Sequence, residues 1–172
     1  MIQLRNLDTA DINAAEALYL ASFPPEERRP WEQIADADTE PQAYGIYDAD
    51  NLFAGFITVW NFGGYVYVEH FAVETTRRGS GIGAAAMASL RELAGVPVVL
   101  EVEPPGHPDP MAPRRIAFYE RCGFALLDYD YVQPPYAPGL PSVPLCLMST
   151  DSAIEASEIE RTLHTKVYGQ GG

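Results

Sequence analysis

Apolar and polar residues alternate in several short runs along the first half of the chain. These runs are rich in Val, Ile, Tyr and Phe, and segments of Asp, Asn and Gly separate the later ones. Such alternation is typical of half-buried strands joined by tight turns. It predicts an antiparallel meander with strands at residues 2–7, 43–47, 52–60 and 65–73.

A helical spacing of apolar residues replaces the alternation in other segments. Over residues 12–23 apolar positions recur every three or four residues, and Pro24-Pro25 cannot continue that helix. Residues 84–93 are mostly strong helix formers, and Gly95 is suited to end their helix. The same criteria predict further helices at residues 31–37, 114–122 and 154–167.

Two proline-rich segments interrupt the second half of the chain. Residues 97–102 form a continuous apolar run after a helix, which is typical of a buried strand that runs parallel to the strand before it. Five prolines make residues 103–113 a predicted loop. Strands at residues 124–133 and 145–149 flank the other proline-rich segment. The predicted fold class is therefore mixed α/β.

Length and composition fit a single globular domain. The 172 residues are 47% hydrophobic and 20% charged, which supports a substantial core and argues against disorder. We expect one domain at residues 1–150, with residues 151–172 as a C-terminal helical extension of the same domain.

A strong excess of acidic residues limits the classes of partner. The formal net charge is −13, which argues against nucleic acid and favours a neutral or cationic partner. No apolar run reaches the ~18 residues of a membrane span, and the chain starts with a strand-like segment rather than a signal peptide. We therefore expect a cytoplasmic protein with no membrane partner. Cys122 and Cys146 lack the number and spacing of a disulfide framework or a zinc site.

A glycine-rich segment stands between the strand at 65–73 and the helix at 84–93. It reads Arg77-Arg78-Gly79-Ser80-Gly81-Ile82-Gly83-Ala84. A strand that turns through glycines into a helix leaves backbone N–H groups unpaired beside the positive end of the helix dipole, where phosphate binds. Glycine is needed because a Cβ would hold the phosphate away from these amides. The segment therefore predicts an anion-binding cradle.

Three known phosphate-binding motifs compete to explain this cradle. Gly79-x-Gly81-x-x-Ala84 is a form of the dinucleotide fingerprint, with Glu101 in the place of a ribose-binding acid. A nicotinamide-dependent enzyme would need further strand–helix–strand units after the loop, whereas proline-rich segments follow. A Walker loop is excluded because no Gly-Lys-Ser or Gly-Lys-Thr occurs.

The third motif, Arg78-x-x-Gly81-x-Gly83 after an antiparallel strand, resembles the pyrophosphate-binding motif of the GNAT superfamily of N-acetyltransferases. A second segment, Arg115 to Phe124, resembles the later helix of that superfamily, which ends in Phe-Tyr-x-x-x-Gly-Phe. The two motifs follow the family's order and stand about forty residues apart, as they do in the family. The resemblance covers roughly residues 1–150.

This resemblance implies a fold and a reaction. The fold is a twisted sheet of about seven strands with a V-shaped opening, about four helices and a C-terminal helix. The reaction is direct transfer of an acetyl group from acetyl-CoA to an amine of a small molecule or peptide, with no metal. The implied coenzyme-binding residues are Phe71, Ala72, Val73, Arg78, Gly79, Ser80, Gly81, Ile82, Gly83 and Ala84. Among them, an N–H at Phe71 or Val73 would polarise the thioester carbonyl.

Two side chains are expected to move protons. Glu69 matches the position where many GNAT enzymes carry a glutamate base, and strand alternation predicts apolar and aromatic neighbours for its carboxylate. Tyr119 matches the tyrosine that protonates the departing thiolate in many members, and a phenol with a reference pKa of ~10 stays protonated at neutral pH. His70 points to the opposite face of the strand and is predicted to be structural.

One departure from the family pattern stands at Ala112-Pro113, where the family often has an asparagine that contacts the coenzyme. Arg114 and Arg115 are candidates to reach a coenzyme phosphate instead. Because the asparagine is missing, a non-catalytic acyl-CoA-binding module is an alternative to an enzyme.

Aromatic residues are the candidates for acceptor specificity. Trp31 belongs to the region that commonly borders the acceptor groove in this superfamily, although packing on the core is the competing role for it. Further candidates are Tyr129, Tyr131 and Tyr136. A homodimer is a family-level expectation.

Overall fold

The computed structural model of the protein describes residues 1–170. Its contacts define two compact units, Met1–Val98 and a second unit that begins at Val99. Across the described residues it contains eight strands and five α-helices, which confirms the mixed α/β class. The last two residues of the predicted C-terminal extension lie outside the described residues.

The first unit begins with four strands in an antiparallel meander. They are β1 (Gln3–Asn6), β2 (Gln42–Tyr47), β3 (Phe53–Asn61) and β4 (Val66–Val73). Each strand pairs antiparallel with the next, so the predicted meander is confirmed. Strands β3 and β4 approach closely at Gly55, where an added Cβ would lie 2.3 Å from the carbonyl oxygen of Ala72.

Three α-helices accompany these strands in the first unit. They are α1 (Ile12–Ser22), α2 (Trp31–Ala35) and α3 (Ile82–Ala94). Helices α1 and α2 bury their apolar faces in one cluster with β3 and β4, and its buried members are Ala15, Leu18, Tyr19, Ile34, Phe56 and Ala72. Helix α3 starts two residues before the predicted position because Gly81 already turns the chain into it, and it ends at Gly95 as predicted.

In the second unit one strand pairs with three others. Its elements are β5 (Val98–Val102, from its second residue on), α4 (Ala112–Arg121), β6 (Ala125–Leu126), β7 (Tyr131–Gln133), β8 (Val143–Ser149) and α5 (Ala156–Thr162). Strand β8 pairs antiparallel with β5, β6 and β7. A short π-helical segment, Leu163–Val167, continues α5. Buried Ile159, Leu163 and Val167 carry the predicted apolar stripe of this C-terminal helix.

The prediction of one continuous strand at residues 124–133 is wrong. Residues 124–133 form two short strands, β6 and β7, because the chain turns tightly between them. The backbone N–H of Tyr129 donates to the carbonyl oxygen of Leu127 at 3.0 Å, which closes that turn. Helix α4 also begins earlier than predicted, because it includes Pro113 in its first turn. Proline is tolerated there, since a backbone N–H in the first turn would have no acceptor within the helix.

Two expectations concern strands that belong to different units. One is that the strand at residues 97–102 runs parallel to the strand before it, and the other is the V-shaped opening of the sheet. Both stay predictions. The domain boundary at residue 150 also stays a prediction. Over residues 1–170, none of the helices combines the length and apolar character that a membrane span requires.

Candidate functional site

The glycine loop between β4 and α3 is open on its outer side. Gly79 and Gly81 have φ angles of +79° and +83°, a left-handed conformation that side chains with a Cβ rarely adopt. A Cβ built at either glycine would meet no atom within 4 Å. The backbone conformation therefore requires glycine, and the space beside it is free for a ligand.

Helix α3 turns its first amides toward this loop. The first helical hydrogen bond runs from the N–H of Ala85 to the carbonyl oxygen of Gly81 at 3.0 Å. The N–H groups of Ile82, Gly83 and Ala84 precede it and so have no acceptor one turn earlier in the helix. Together with the positive end of the helix dipole they form a site suited to an anion such as a phosphate group.

The two arginines of the loop have different partners. Arg78 is exposed, and its Nε donates to the carbonyl oxygen of Val73 at 3.1 Å, which ties the loop to the end of β4. Arg77 instead forms an ion pair with Asp48, whose pKa is lowered by the hydrogen bond from that guanidinium. The hydroxyl of Ser80 donates to the carbonyl oxygen of Arg77 at 2.7 Å. Arg78 is thus the more exposed of the two loop arginines.

The predicted coenzyme residues of the strand end lie directly before this loop. Ala72 is buried in the cluster under α1 and α2, whereas Phe71 and Val73 are half-buried on alternate positions. Since Val73 also accepts the Arg78 hydrogen bond, the strand end and the cradle form one continuous segment. The coenzyme-binding assignments themselves stay predictions.

Strand β4 carries a β-bulge at Glu69. Thr58 of β3 pairs with His70, whereas the next residue, Val59, pairs with Val68. Glu69 is therefore the extra residue of β4 and has no directly opposed partner. Bulges re-aim side chains and are frequent beside active sites. The uninterrupted alternation predicted for residues 65–73 is wrong at this point.

The carboxylate of Glu69 is buried and held by two polar side chains. Its side chain is 0% exposed and pairs with Arg29, which is 8% exposed. The Nε of Arg29 donates to Oε1 at 3.1 Å and to Oε2 at 2.9 Å, and the indole Nε1 of Trp60 donates to Oε1 at 2.7 Å. Of the predicted apolar and aromatic neighbours the aromatic Trp60 is present, whereas the ion pair with Arg29 was not predicted; a buried carboxylate needs such a cation and hydrogen-bond donors.

Sequence reasoning did not identify Arg29 as part of this site. It stands forty residues before Glu69, in the irregular segment between α1 and α2, and only the fold brings the two together. The paired arginines at 28 and 29 were the available signal, since a cation in so acidic a chain indicates a nearby anion.

His70 follows the bulge and contacts the same segment between α1 and α2 that supplies Arg29 to Glu69, so the prediction that Glu69 and His70 point to opposite faces of the strand is wrong. His70 is buried, its ring lies edge-on to Tyr19 and Phe23 at centroid distances of 4.9 and 4.7 Å, and its Nε2 donates to the carbonyl oxygen of Glu27 at 2.8 Å. Burial lowers its pKa, an effect that the Glu69 charge partly offsets. These contacts agree with the predicted structural role.

Tyr119 lies on α4 in the second unit. Its half-buried ring packs against Phe118 and Phe124 at centroid distances of 5.2 and 5.6 Å. Burial raises the pKa of Tyr119, and the neighbouring Cys122 adds to the shift. The phenol therefore stays protonated at neutral pH, as a proton donor must.

Arg115, one of the two arginines considered for the coenzyme, is engaged inside the second unit. Its NH1 lies 2.5 Å from Glu103 and 3.1 Å from Asp109, two carboxylates of the proline-rich loop. The backbone N–H of Met111 lowers the pKa of Asp109, and Arg115 lowers it further. Arg115 therefore contacts this loop through two carboxylates, and both Arg114 and Arg115 are exposed.

The aromatic residues considered for acceptor specificity differ in their packing and exposure. Trp31 packs against Tyr19 at a centroid distance of 5.5 Å, which supports the core role. In the second unit the hydroxyl of Tyr129 donates to Glu160 at 3.0 Å, and Tyr131 is buried. Tyr136 is half-buried, with its ring 5.1 Å from that of Tyr168.

The dinucleotide interpretation of the loop is excluded by the strands before it. A dinucleotide fold needs parallel strands joined through helices, whereas β1 to β4 are antiparallel throughout. Glu101, the proposed ribose-binding acid, instead accepts a hydrogen bond from the hydroxyl of Tyr168. Within residues 1–170, no group of three or more His, Cys, Asp or Glu side chains could hold a metal ion.

Comparisons with known proteins agree with this geometry. Residues 10–124 match the family model of the acetyltransferase (GNAT) family. The chain is similar to a solved protein from Bacteroides thetaiotaomicron described as an acetyltransferase from the GNAT family. They share 39% identity with a TM-score of 0.85, over 97% of this chain and 98% of that one. No curated protein matches the sequence.

Two more distant structures share the fold. The ribosomal-protein-S18-alanine N-acetyltransferase from Escherichia coli is 18% identical with a TM-score of 0.59, over 90% of this chain and 96% of that one. Arabidopsis thaliana Naa50, in complex with the bisubstrate analogue CoA-Ac-MVNAL, is 19% identical with a TM-score of 0.62, over 86% and 97%.

Proposed function

This chain belongs to the GNAT family of acetyltransferases, which use acetyl-CoA, and from that premise we propose that it acetylates a cationic amine by direct transfer. The acceptor is an amine of a small molecule or a peptide, and it meets the coenzyme in a ternary complex. The observation that carries this proposal is the open cradle formed by Gly79, Gly81 and the first amides of α3.

In this proposal the cradle binds the pyrophosphate of the coenzyme. The N–H groups from Gly79 to Ala84 donate to it, and the exposed guanidinium of Arg78 adds a charge-assisted contact. The end of β4 then receives the thioester, with a backbone N–H at Phe71 or Val73 polarising its carbonyl. The hydrogen bond from Arg78 to Val73 supports this arrangement, because it holds the cradle against the strand end.

Direct transfer requires two proton movements. As the amine nitrogen bonds to the acetyl carbon, the carbon–sulfur bond breaks, so the nitrogen loses one proton and the thiolate gains one. We assign the donor of the thiol proton to Tyr119, whose raised pKa keeps the phenol protonated. We assign the acceptor of the amine proton to Glu69, directly or through water.

A cationic acceptor is favoured by charge. The net charge of −13 attracts amines that are protonated in solution. The carboxylate of Glu69 lies on the strand that would receive the thioester, and it already binds a cationic group, the guanidinium of Arg29. An amine bound there would give up its proton before attack, since only the uncharged nitrogen is nucleophilic.

Release of free coenzyme A thiol, measured with a panel of amines, tests the proposed reaction. The panel pairs each cationic amine with an uncharged amide of similar size. We expect thiol release with one or more cationic amines and an acetylated product by mass spectrometry, and no release with the amides. Saturable acetyl-CoA binding without turnover on any amine would contradict the proposal and favour the non-catalytic binding module.

We also propose a cytoplasmic location, which the cysteine content supports, because two cysteines are too few for the disulfide framework of a small secreted domain. Cell fractionation tests it. A homodimer stays a prediction, and sedimentation equilibrium measures the oligomeric state directly.

A further inference from the structure

The turn between β2 and β3 presents a carboxylate to the glycine loop. Asp48 begins that turn, and its Oδ1 accepts hydrogen bonds from the backbone N–H groups of Asp50 and Leu52, each at 2.9 Å. Its Oδ2 forms the ion pair with Arg77, and both side chains are partly buried. One carboxylate oxygen is thus fixed inside its own turn, while the other binds the residue two positions before Gly79.

Arg77 is also held through its main chain. Its N–H donates to the carbonyl oxygen of Glu74 at 2.9 Å, and its carbonyl oxygen accepts a hydrogen bond from the hydroxyl of Ser80 at 2.7 Å. The N–H of Glu74 donates to the carbonyl oxygen of Ala54 on β3 at 2.8 Å. Arg77 therefore joins the start of the loop both to the end of β4 and, through Asp48, to the β2–β3 turn.

The conformation of the ligand-free loop affects how tightly the loop can bind an anion. Gly79 and Gly81 have left-handed φ angles, and glycine has more backbone freedom than any other residue. A loop that becomes ordered only on binding loses this freedom, which weakens the affinity, whereas a loop that is already ordered does not. Contacts that hold the loop before binding therefore contribute to affinity without touching the ligand.

We infer that Asp48 is a positioning residue for the coenzyme cradle and acts through its ion pair with Arg77. This role deepens the proposed function and rests on it, because the cradle is the proposed site of the coenzyme pyrophosphate. It adds a residue from a different hairpin, twenty-nine positions before Arg77, to those that determine coenzyme affinity.

Charge alone predicts the opposite effect of Asp48. A carboxylate close to the loop repels a pyrophosphate, so its removal would tighten coenzyme binding and release the Arg77 guanidinium to pair with a phosphate. The positioning role predicts weaker binding on removal, because the start of the loop loses its anchor. The sign of the change in coenzyme affinity therefore distinguishes the two effects.

Substitution of Asp48 by asparagine tests the inference. D48N keeps a side-chain oxygen that can accept the hydrogen bonds of the turn, and asparagine is favoured in turns, but the ion pair with Arg77 is lost. D50N removes the same charge from an exposed position of the same turn and is the matched control. Calorimetric titration of the full chain with coenzyme A measures affinity, and chemical denaturation measures the stability of each variant.

We expect D48N to bind coenzyme A about threefold or more weakly than the wild type or D50N, a loss within the range of a partly exposed ion pair. R77Q should also bind more weakly. The double variant D48N/R77Q should bind as R77Q does, since both substitutions break the same contact.

Kinetics provide a second readout, with the acceptor found in the amine panel. D48N should raise the KM for acetyl-CoA and leave kcat unchanged, because Asp48 acts on binding and not on the chemical step. S-acetylpantetheine carries the same thioester but lacks the pyrophosphate. Its kcat/KM should therefore be equal in D48N and the wild type.

Several results would overturn the inference. They are unchanged or tighter coenzyme A binding in D48N, an equal loss of affinity in D50N, and additive losses in D48N/R77Q. A purely structural ion pair would lower the stability of D48N and leave its coenzyme affinity unchanged. If D48N does not fold, D48S serves instead, because a serine hydroxyl can also accept the hydrogen bonds of the turn, and the same results are expected of it.

The same titrations separate this inference from the proposed function. Equal coenzyme A binding by D48N and the wild type would remove the positioning role and leave the proposed reaction. Weaker binding by D48N, without turnover on any amine, would support the positioning role and remove the proposed reaction. A wild type that does not bind coenzyme A would contradict both.

Discussion

At the scale of single residues, the proposed proton donation by Tyr119 can be tested separately from the packing of its ring. Its ring contacts Phe118 and Phe124, and a phenylalanine at this position would keep those contacts. In the proposed mechanism the hydroxyl donates the proton and the ring packs in the fold, so one substitution separates the two roles.

Tyr119→Phe should lower kcat by about 10²-fold or more, the usual contribution of a general acid. The KM for acetyl-CoA and the Tm should change little, because the ring remains. Tyr47→Phe is the matched control for kcat, since it loses a hydroxyl bonded to Asp11. Steady-state kinetics with the acceptor found in the amine panel measures both. Full turnover in Tyr119→Phe would remove this residue from the proposed mechanism.

His70 predicts a pH dependence of stability. Burial lowers its pKa in the folded protein, so the unfolded chain binds more protons as pH falls below its reference pKa of ~6.5. The stability that the neutral imidazole provides is therefore present above that pH and is lost below it, by at most about 1.4 kcal/mol per pH unit.

Urea unfolding of the wild type and of His70→Gln between pH 7.5 and pH 5 measures this loss. Both pH limits lie about one unit or more from the reference pKa of histidine. Glutamine can still donate to the Glu27 carbonyl but does not titrate. We expect a shallower pH dependence in His70→Gln than in the wild type or in His107→Gln, an exposed control. Parallel pH profiles in all three proteins would show that His70 does not cause the loss.

At the scale of elements, the two ends of α3 offer a matched pair. Gly81 precedes the helix and Gly95 follows it, with φ angles of +83° and +64°. Both positions force a left-handed backbone, which costs a residue with a Cβ about 1–2 kcal/mol. Only Gly81 belongs to the cradle.

Gly81→Ala and Gly95→Ala should therefore lose a similar free energy of unfolding, about 1–2 kcal/mol each. Acetyl-CoA affinity should fall in Gly81→Ala and stay unchanged in Gly95→Ala. Chemical denaturation and calorimetric titration provide the two measurements. Equal coenzyme affinity in the two variants would show that the loop conformation at Gly81 is structural rather than part of a binding site.

Local elements were more predictable than the contacts between distant ones. The meander, the glycine loop and the end of α3 at Gly95 follow from alternation, turn residues and helix propensity, which act over a few residues. The bulge at Glu69 depends on how β3 and β4 register, and the Arg29 contact joins residues forty positions apart. The break between β6 and β7 likewise depends on their shared partner β8. Such pairings are set by the tertiary fold, so local sequence patterns do not predict them.

At the scale of the whole molecule, the charge of −13 should steer cationic acceptors toward the protein. Screening weakens this attraction, because the Debye length falls from about 30 Å at 0.01 M salt to about 8 Å at 0.15 M. The KM for a cationic acceptor should therefore rise severalfold over that range. Initial rates at fixed, saturating acetyl-CoA measure the effect. A KM that is independent of salt would place the specificity in the buried contacts alone.

The central claim is that the loop from Gly79 to Ala84 binds the pyrophosphate of acetyl-CoA. Calorimetric titration of the purified protein with acetyl-CoA tests it most directly, beside NAD and beside two variants. Gly81→Glu places a carboxylate in the cradle, and Gly95→Glu imposes the same backbone penalty at the other end of α3. The account predicts saturable acetyl-CoA binding by the wild type and by Gly95→Glu, loss of binding in Gly81→Glu, and no binding of NAD. A wild type that ignores acetyl-CoA, or a Gly81→Glu variant that binds it equally well, would contradict the claim.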